Sequence, residues 1–108
     1  MKLTKKIIKA SEVAAPNTTI NDDGDHYTIY VDNACGEDFS FDIEKSNHEI
    51  EDIIDYCEGF DVGEHFKLWY GANRGEPSDV ETLFNNCKEI GDNLESLRFW
   101  LQNYVLNK

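Results

Sequence analysis

The side chains in this chain that could do chemistry are carboxylates, three histidines and three cysteines, and their spacing decides which chemistry is open to them. A calcium loop needs acids at positions 1, 3 and 5, a glycine at 6 and a glutamate at 12. The run Asp22-Asp23-Gly24-Asp25 fits in no register, and strand-like sequence flanks it. His26, His48 and His65, like Cys35, Cys57 and Cys87, are scattered and lack the close ligand pairs of a zinc site. Hydrolysis by paired carboxylates requires two of them in different environments inside a cleft, and no two are set apart here. His65 falls on an apolar helical stripe, where a core histidine holding one hydrogen bond is a plainer reading than a catalytic base. Gly71-Ala72-Asn73-Arg74-Gly75 lacks the Lys-Ser/Thr of a nucleotide loop and follows a helix rather than a strand. The residues therefore point to a non-enzymatic protein without a metal or other cofactor.

The carboxylates carry a different message, because they are concentrated. The chain has 108 residues with 22 acids against 10 bases, a formal charge of −12. Four of the bases (Lys2, Lys5, Lys6 and Lys9) precede every acid, so residues 10–108 hold all 22 acids and six bases. Between residues 37 and 64 there are eleven acids and one base, Lys45. Phosphate contacts need Lys and Arg, so direct nucleic-acid binding is not expected, and no apolar run approaches the roughly 20 residues of a membrane span. Apolar residues make up 40% of the chain and aromatic residues 12%, which argues against disorder.

The elements that must position these acids follow from hydrophobic period. Residues 3–14 read as a short helix on Leu3, Ile7, Ala10 and Ala14, stopped by Pro16. Thr18-Thr19-Ile20, Tyr27–Val31 and Phe39–Ile43 alternate as strands, joined by turns at 21–25 and 33–37, and predict a three-stranded antiparallel meander. From Ser46 the period becomes helical. Ser46 with Glu49 forms a capping box, and Ile50, Ile53, Ile54 and Cys57 fall within about 100° of arc. Asp61 with Glu64 opens a second helix on Val62, His65, Phe66 and Trp69, which a loop over 71–77 ends. Ser78 with Glu81 opens the last helix, whose stripe of Val80, Leu83, Phe84, Cys87, Ile90, Leu94, Leu97, Leu101 and Val105 keeps its phase across Gly91, so one long helix is expected. The expected architecture is one α+β domain over residues 1–108: an N-terminal helix, the meander, then C-terminal helices packed on one face of the sheet. Cys57 and Cys87 fall on apolar stripes as packed small residues, and Cys35, in a polar turn, is the reactive candidate.

On the helix opened by Ser46, Glu51, Asp52, Asp55 and Glu58 lie opposite the apolar stripe with no base among them. Each like-charge pair at helical spacing costs a few tenths of a kcal/mol. Carboxylates crowded on a stiff face resemble the charge density of duplex DNA, one charge per ~1.7 Å of axis; the competing reading is a solvated face kept for solubility. The candidate partner-binding residues are Glu49, Glu51, Asp52, Asp55, Glu58 and Asp61, with Arg74 in the Gly-flanked loop and Trp100 off the last stripe. Phe99, Trp100 and Leu106 either cover the sheet or first helix or serve as anchors at an interface.

The block from Phe60-Asp61-Val62-Gly63-Glu64-His65-Phe66-Lys67-Leu68-Trp69 through Gly75-Glu76-Pro77-Ser78 to Ile90, together with Ala14-Ala15-Pro16-Asn17-Thr18-Thr19-Ile20, resembles small acidic proteins of phages and conjugative elements. The resemblance carries over no catalytic or binding residue. It implies a setting, mobile DNA inside a bacterium, where such proteins are similar to anti-restriction and anti-CRISPR inhibitors, several of which imitate nucleic acid. The lysine-rich start has only Ile7-Ile8 as an apolar pair, too short for a secretory signal, so a cytoplasmic location is expected. The implied partner is the basic groove of a host nuclease or another nucleic-acid-binding protein. The alternative is a protein–protein adaptor of a mobile element using the C-terminal aromatics.

Overall fold

Thr4 rather than Leu3 opens the first helix: its hydroxyl accepts the Ile7 amide at 3.1 Å, and α1 runs Lys5–Ala14. The computed structural model describes residues 1–32, 39–72 and 80–107; the expectations placed on Cys35 and the second turn, on most of the 71–77 loop including Arg74, and on Ser78 lie outside them. Three strands follow, β1 Thr18–Asp22, β2 His26–Val31 and β3 Phe39–Glu44, paired antiparallel in the order β1-β2-β3. Each strand is slightly longer than its apolar core, because polar residues at the ends still join the ladder. The β1–β2 turn places Gly24 at φ 95°, a conformation that glycine adopts without steric cost, and Asp22 Oδ1 accepts its amide at 3.0 Å.

The register sets Ile20, Ile29 and Phe41 in one row across the sheet, flanked by the Tyr27–Ile43 and Val31–Phe39 pairs. Ile20, Tyr27, Ile29, Val31, Phe41 and Ile43 are buried as the alternation requires. Helix α2 (Glu49–Gly59) packs on β3, and α4 (Val80–Trp100) packs on β1 and β2 and on α2, so the C-terminal helices cover the apolar face of the sheet. Helix α1 lies against β1 and α4. The molecule is thus α+β, with its core between the sheet and Ile50, Ile53, Ile54, Ile90, Leu94, Leu97 and Leu101.

Helix α3 (Val62–Ala72) takes in Gly71 and Ala72, which the sequence placed in a loop. It packs on α4 alongside the main core, through Phe66 against Phe84 and Val62 against Gly91. Helix α4 is continuous across Gly91, as its unbroken stripe predicts. Its end differs from that expectation: Leu101–Leu106 form a π-helical turn, closed by the Asn107 amide on the Gln102 carbonyl at 3.1 Å. The stripe is also drier toward its C-terminal end, since Leu83, Cys87, Ile90, Leu94, Leu97 and Leu101 are buried while Val80 and Phe84 in the first turns stay exposed. No helix among the described residues is long and apolar enough to cross a membrane.

Candidate functional site

The acidic face of α2 begins with a correction. Glu49, grouped by sequence with the partner-binding acids, is only 3% exposed. Its Oε1 accepts the Leu3 amide at 2.8 Å and its Oε2 accepts the Ser46 amide at 3.0 Å. Half of the capping box therefore forms. The other half does not, because the Ser46 hydroxyl accepts the His48 amide at 3.1 Å instead, and His48 occupies the N-cap position. The signal was present in the spacing: Glu49 stands one turn before Ile53 and two before Cys57, in the row that faces the core.

Two further members of the predicted face already have partners inside the molecule. The amino group of Met1 lies 2.5 Å from Glu51 and also donates to the Asn47 carbonyl at 2.8 Å. That contact holds the Glu51 carboxyl below its ordinary range. Asp52 Oδ2 sits 2.9 Å from His48 Nδ1. Met1 O in turn accepts the Ile50 amide at 3.0 Å, so the first three residues of the chain brace the start of α2.

What remains open is the far end of α2 and its junction with α3. Asp55, Glu58 and Asp61 are exposed, and among the described residues none of them is in an ion pair. Asp61 caps α3 as its sequence predicts, its Oδ1 accepting the Glu64 amide at 2.9 Å. Glu64 lies 3.6 Å from Lys67, a loose pair with both side chains more than 70% exposed, where screening leaves little attraction. Lys2, Lys5, Lys6 and Lys9 make no ion pair among the described residues, so the basic N-terminus does not neutralise this edge.

Between α2 and α3 these acids rim a cleft of about 370 Å³. The exposed carboxylates Asp55, Asp61 and Glu64 line it together with Tyr56, Phe60, His65 and Leu68. Its walls are held by ring packing. Tyr56 stacks on Phe41 with centroids 3.8 Å apart, and Phe60 and His65 both pack edge-on against Phe39 at 5.6 and 5.3 Å. His65 also packs on Trp69 at 4.4 Å. The expectation of a core histidine with one hydrogen bond is met only in part: His65 packs among rings, but among the described residues its buried Nε2 has no hydrogen-bond partner. Burial lowers its pKa, so the imidazole is neutral near pH 7. Leu68, by contrast, is 70% exposed at the cleft wall.

Trp100 does not join this cleft. It is half-buried against the core and lines two other depressions, one with Phe99 and Tyr104 beside Ala14, the other with Ile7 and Ala10 on α1. Phe99 and Tyr104 project from it with ring centroids 6.3 Å apart, whereas Leu106 packs against the core. Sequence reasoning missed Glu64 and Leu68 as exposed members of the site. Glu64 belongs to the acidic stretch 37–64 and to the α3 start but not to the partner-binding set expected from sequence, and Leu68 lies off the α3 stripe with no pattern to mark it. Among the described residues no group of three or more His, Cys, Asp or Glu side chains is placed to hold a metal ion. Comparison of the chain with protein families, characterised proteins and solved structures returns no match.

Proposed function

We propose that the protein is a non-enzymatic acidic inhibitor that occupies the nucleic-acid-binding groove of a bacterial defence nuclease. The observation that carries this reading is the acidic edge of Asp55, Glu58 and Asp61, none of them in an ion pair among the described residues, with Glu64 held only loosely by Lys67, on a chain of net charge −12. Local and overall charge have the same sign there, so a cationic groove is attracted at long range and held at contact. The edge is smaller than the six-residue face read from sequence, since Glu49 is consumed by the fold and Glu51 and Asp52 are paired. Its four acids span two helices whose junction Asp61 caps, which keeps their spacing stiff.

The test is a DNA-cleavage assay with restriction and RNA-guided nucleases. Inhibition by the wild-type chain is expected to weaken as salt rises, because screening lengths fall to about 8 Å at physiological strength. Excess DNA is expected to relieve it. The combined variant Asp55→Lys, Glu58→Lys, Glu64→Lys is expected to restore cleavage. Equal inhibition by wild type and variant, or none by either, rejects the proposal.

A second reading is favoured by Phe99 and Tyr104, which are 52% and 61% exposed at the C-terminal turn. Aromatic pairs this open are typical anchors of protein–protein contacts, and they support an adaptor of a mobile element. Partner binding that ignores salt and is lost on Tyr104→Ala separates this reading from the first.

A further inference from the structure

The cleft between α2 and α3 combines an acidic rim with an apolar wall, and a phosphate-like surface has no need of the second. Leu68, 70% exposed, stands beside Tyr56 and Phe60, and the ring packing that fixes both aromatics makes the wall rigid before anything binds. At about 370 Å³ the cleft lies near the lower end of the roughly 300–1,000 Å³ range of ligand pockets. It has room for one or two side chains, not for a strand of polynucleotide.

We infer that this cleft is a docking site for a basic amphipathic segment of a partner protein, with an apolar side chain seated against Leu68 and Tyr56 and an arginine or lysine held between Asp55, Asp61 and Glu64. The inference rests on the reading that the α2–α3 edge is the face that meets a partner. Charge complementarity selects the occupant: three carboxylates line the cleft, among the described residues only Glu64 of them with a cation near it, the loosely placed Lys67, and the chain as a whole is strongly negative. An anionic lipid or nucleic acid is repelled on each of these counts. A free polyamine satisfies the rim but leaves Leu68 in water. Asp61 caps α3 through Oδ1, so Oδ2 can still accept from a cation, and a planar guanidinium can bridge two carboxylates at once. Recognition of apolar and charged groups along one helix face is a common docking mode.

The probe is a synthetic helical peptide with leucines on one face and arginines flanking them, compared with a peptide of equal charge whose leucines are replaced by serine, and with spermine. Binding is followed by fluorescence anisotropy and by amide shift changes in the full chain. The leucine-bearing peptide is expected to bind at least tenfold tighter than its serine counterpart and to move amides of residues 55–68. Leu68→Ser is expected to weaken it at least tenfold, and Asp55→Asn with Glu64→Gln to weaken it and flatten its salt dependence. Equal binding of both peptides, shifts spread over the whole acidic surface, or indifference to Leu68→Ser overturns the inference. Nuclease assays run alongside separate the two claims. Inhibition that survives Leu68→Ser removes the cleft's role and leaves the inhibitor reading standing. Absent inhibition with the peptide seated at the cleft supports the docking site and removes the nuclease as its target.

Discussion

Glu49 and Leu3 are joined by a buried hydrogen bond of 2.8 Å, carboxylate to backbone amide, across 46 residues of sequence. The same carboxylate receives the Ser46 amide, so one acid ties the N-terminal segment to the start of α2 and takes itself out of the surface charge. Removing it strands two backbone donors. With roughly 1–3 kcal/mol for the buried Leu3 amide and about 1 kcal/mol for the part-buried Ser46 amide, Glu49→Ala is expected to cost about 2–4 kcal/mol in urea unfolding. Glu49→Gln, which keeps one carbonyl oxygen, is expected to cost less. The reverse order contradicts the assigned bonds.

The exposed acids answer differently. Asp55→Lys leaves no donor stranded and relieves repulsion with its helix neighbours, and Glu58→Gln does so without setting a cation near Arg98, so in each single variant thermal stability is expected to stay within about 0.5 kcal/mol of wild type. A large loss in thermal melts shows that these side chains are structural, and disqualifies them as a free interaction edge.

Gly91 is where α3 meets α4. A Cβ built there stands 2.9 Å from Val62 Cγ2 and 3.6 Å from Phe60 Cε2. Alanine in place of glycine adds about 1 kcal/mol of helix propensity, but overpacking costs roughly 1–3 kcal/mol. Gly91→Ala is expected to destabilise the fold on balance, and Val62→Ala to recover part of the loss in a double-mutant cycle. A stabilised Gly91→Ala variant shows that α3 moves aside freely.

Two histidines are expected to titrate on opposite sides of the usual value of 6.5. The Asp25 carboxylate, 2.6 Å from His26 Nδ1, raises His26, with Asp42 and Asp23 adding to its field, whereas burial lowers His65. His26 therefore contributes stability that is fully present below the unfolded value and is lost as pH rises through its folded one. Asp25, lowered by the same contact, contributes above its unfolded value and loses it in acid. NMR titration of the two imidazoles checks the order, and His26→Gln is expected to flatten the alkaline side of the stability profile.

Cys57 and Cys87 are both buried, and burial pushes the Cys57 thiol up to about 12. Burial thus keeps Cys57 both protonated and shielded at pH 8, so iodoacetamide is expected to leave it unmodified until the chain is unfolded. Rapid native alkylation at Cys57, read by peptide mass spectrometry, contradicts its packed position.

Alternation in Tyr27, Ile29 and Val31 and the helical stripes of α2 and α4 are local patterns, and because burial follows period they determined the strands, the helices and their apolar faces. The same logic carried α4 through Gly91, since the stripe on either side kept one phase. Charge concentration was likewise legible, being a matter of counting. Which acids stay available was legible only for Glu49, through its place in the core-facing row of α2. Glu49 and Glu51 look alike in composition, but partners some 46 and 50 residues away, the Leu3 amide and the Met1 amino group, bury one and pair the other. The cleft beside Leu68 likewise exists only because α3 docks on α4 at Gly91 and Phe39 packs against Phe60 and His65. Period and charge belong to neighbours along the chain, while desolvation and ion pairing depend on atoms that only folding brings within a few ångströms of one another.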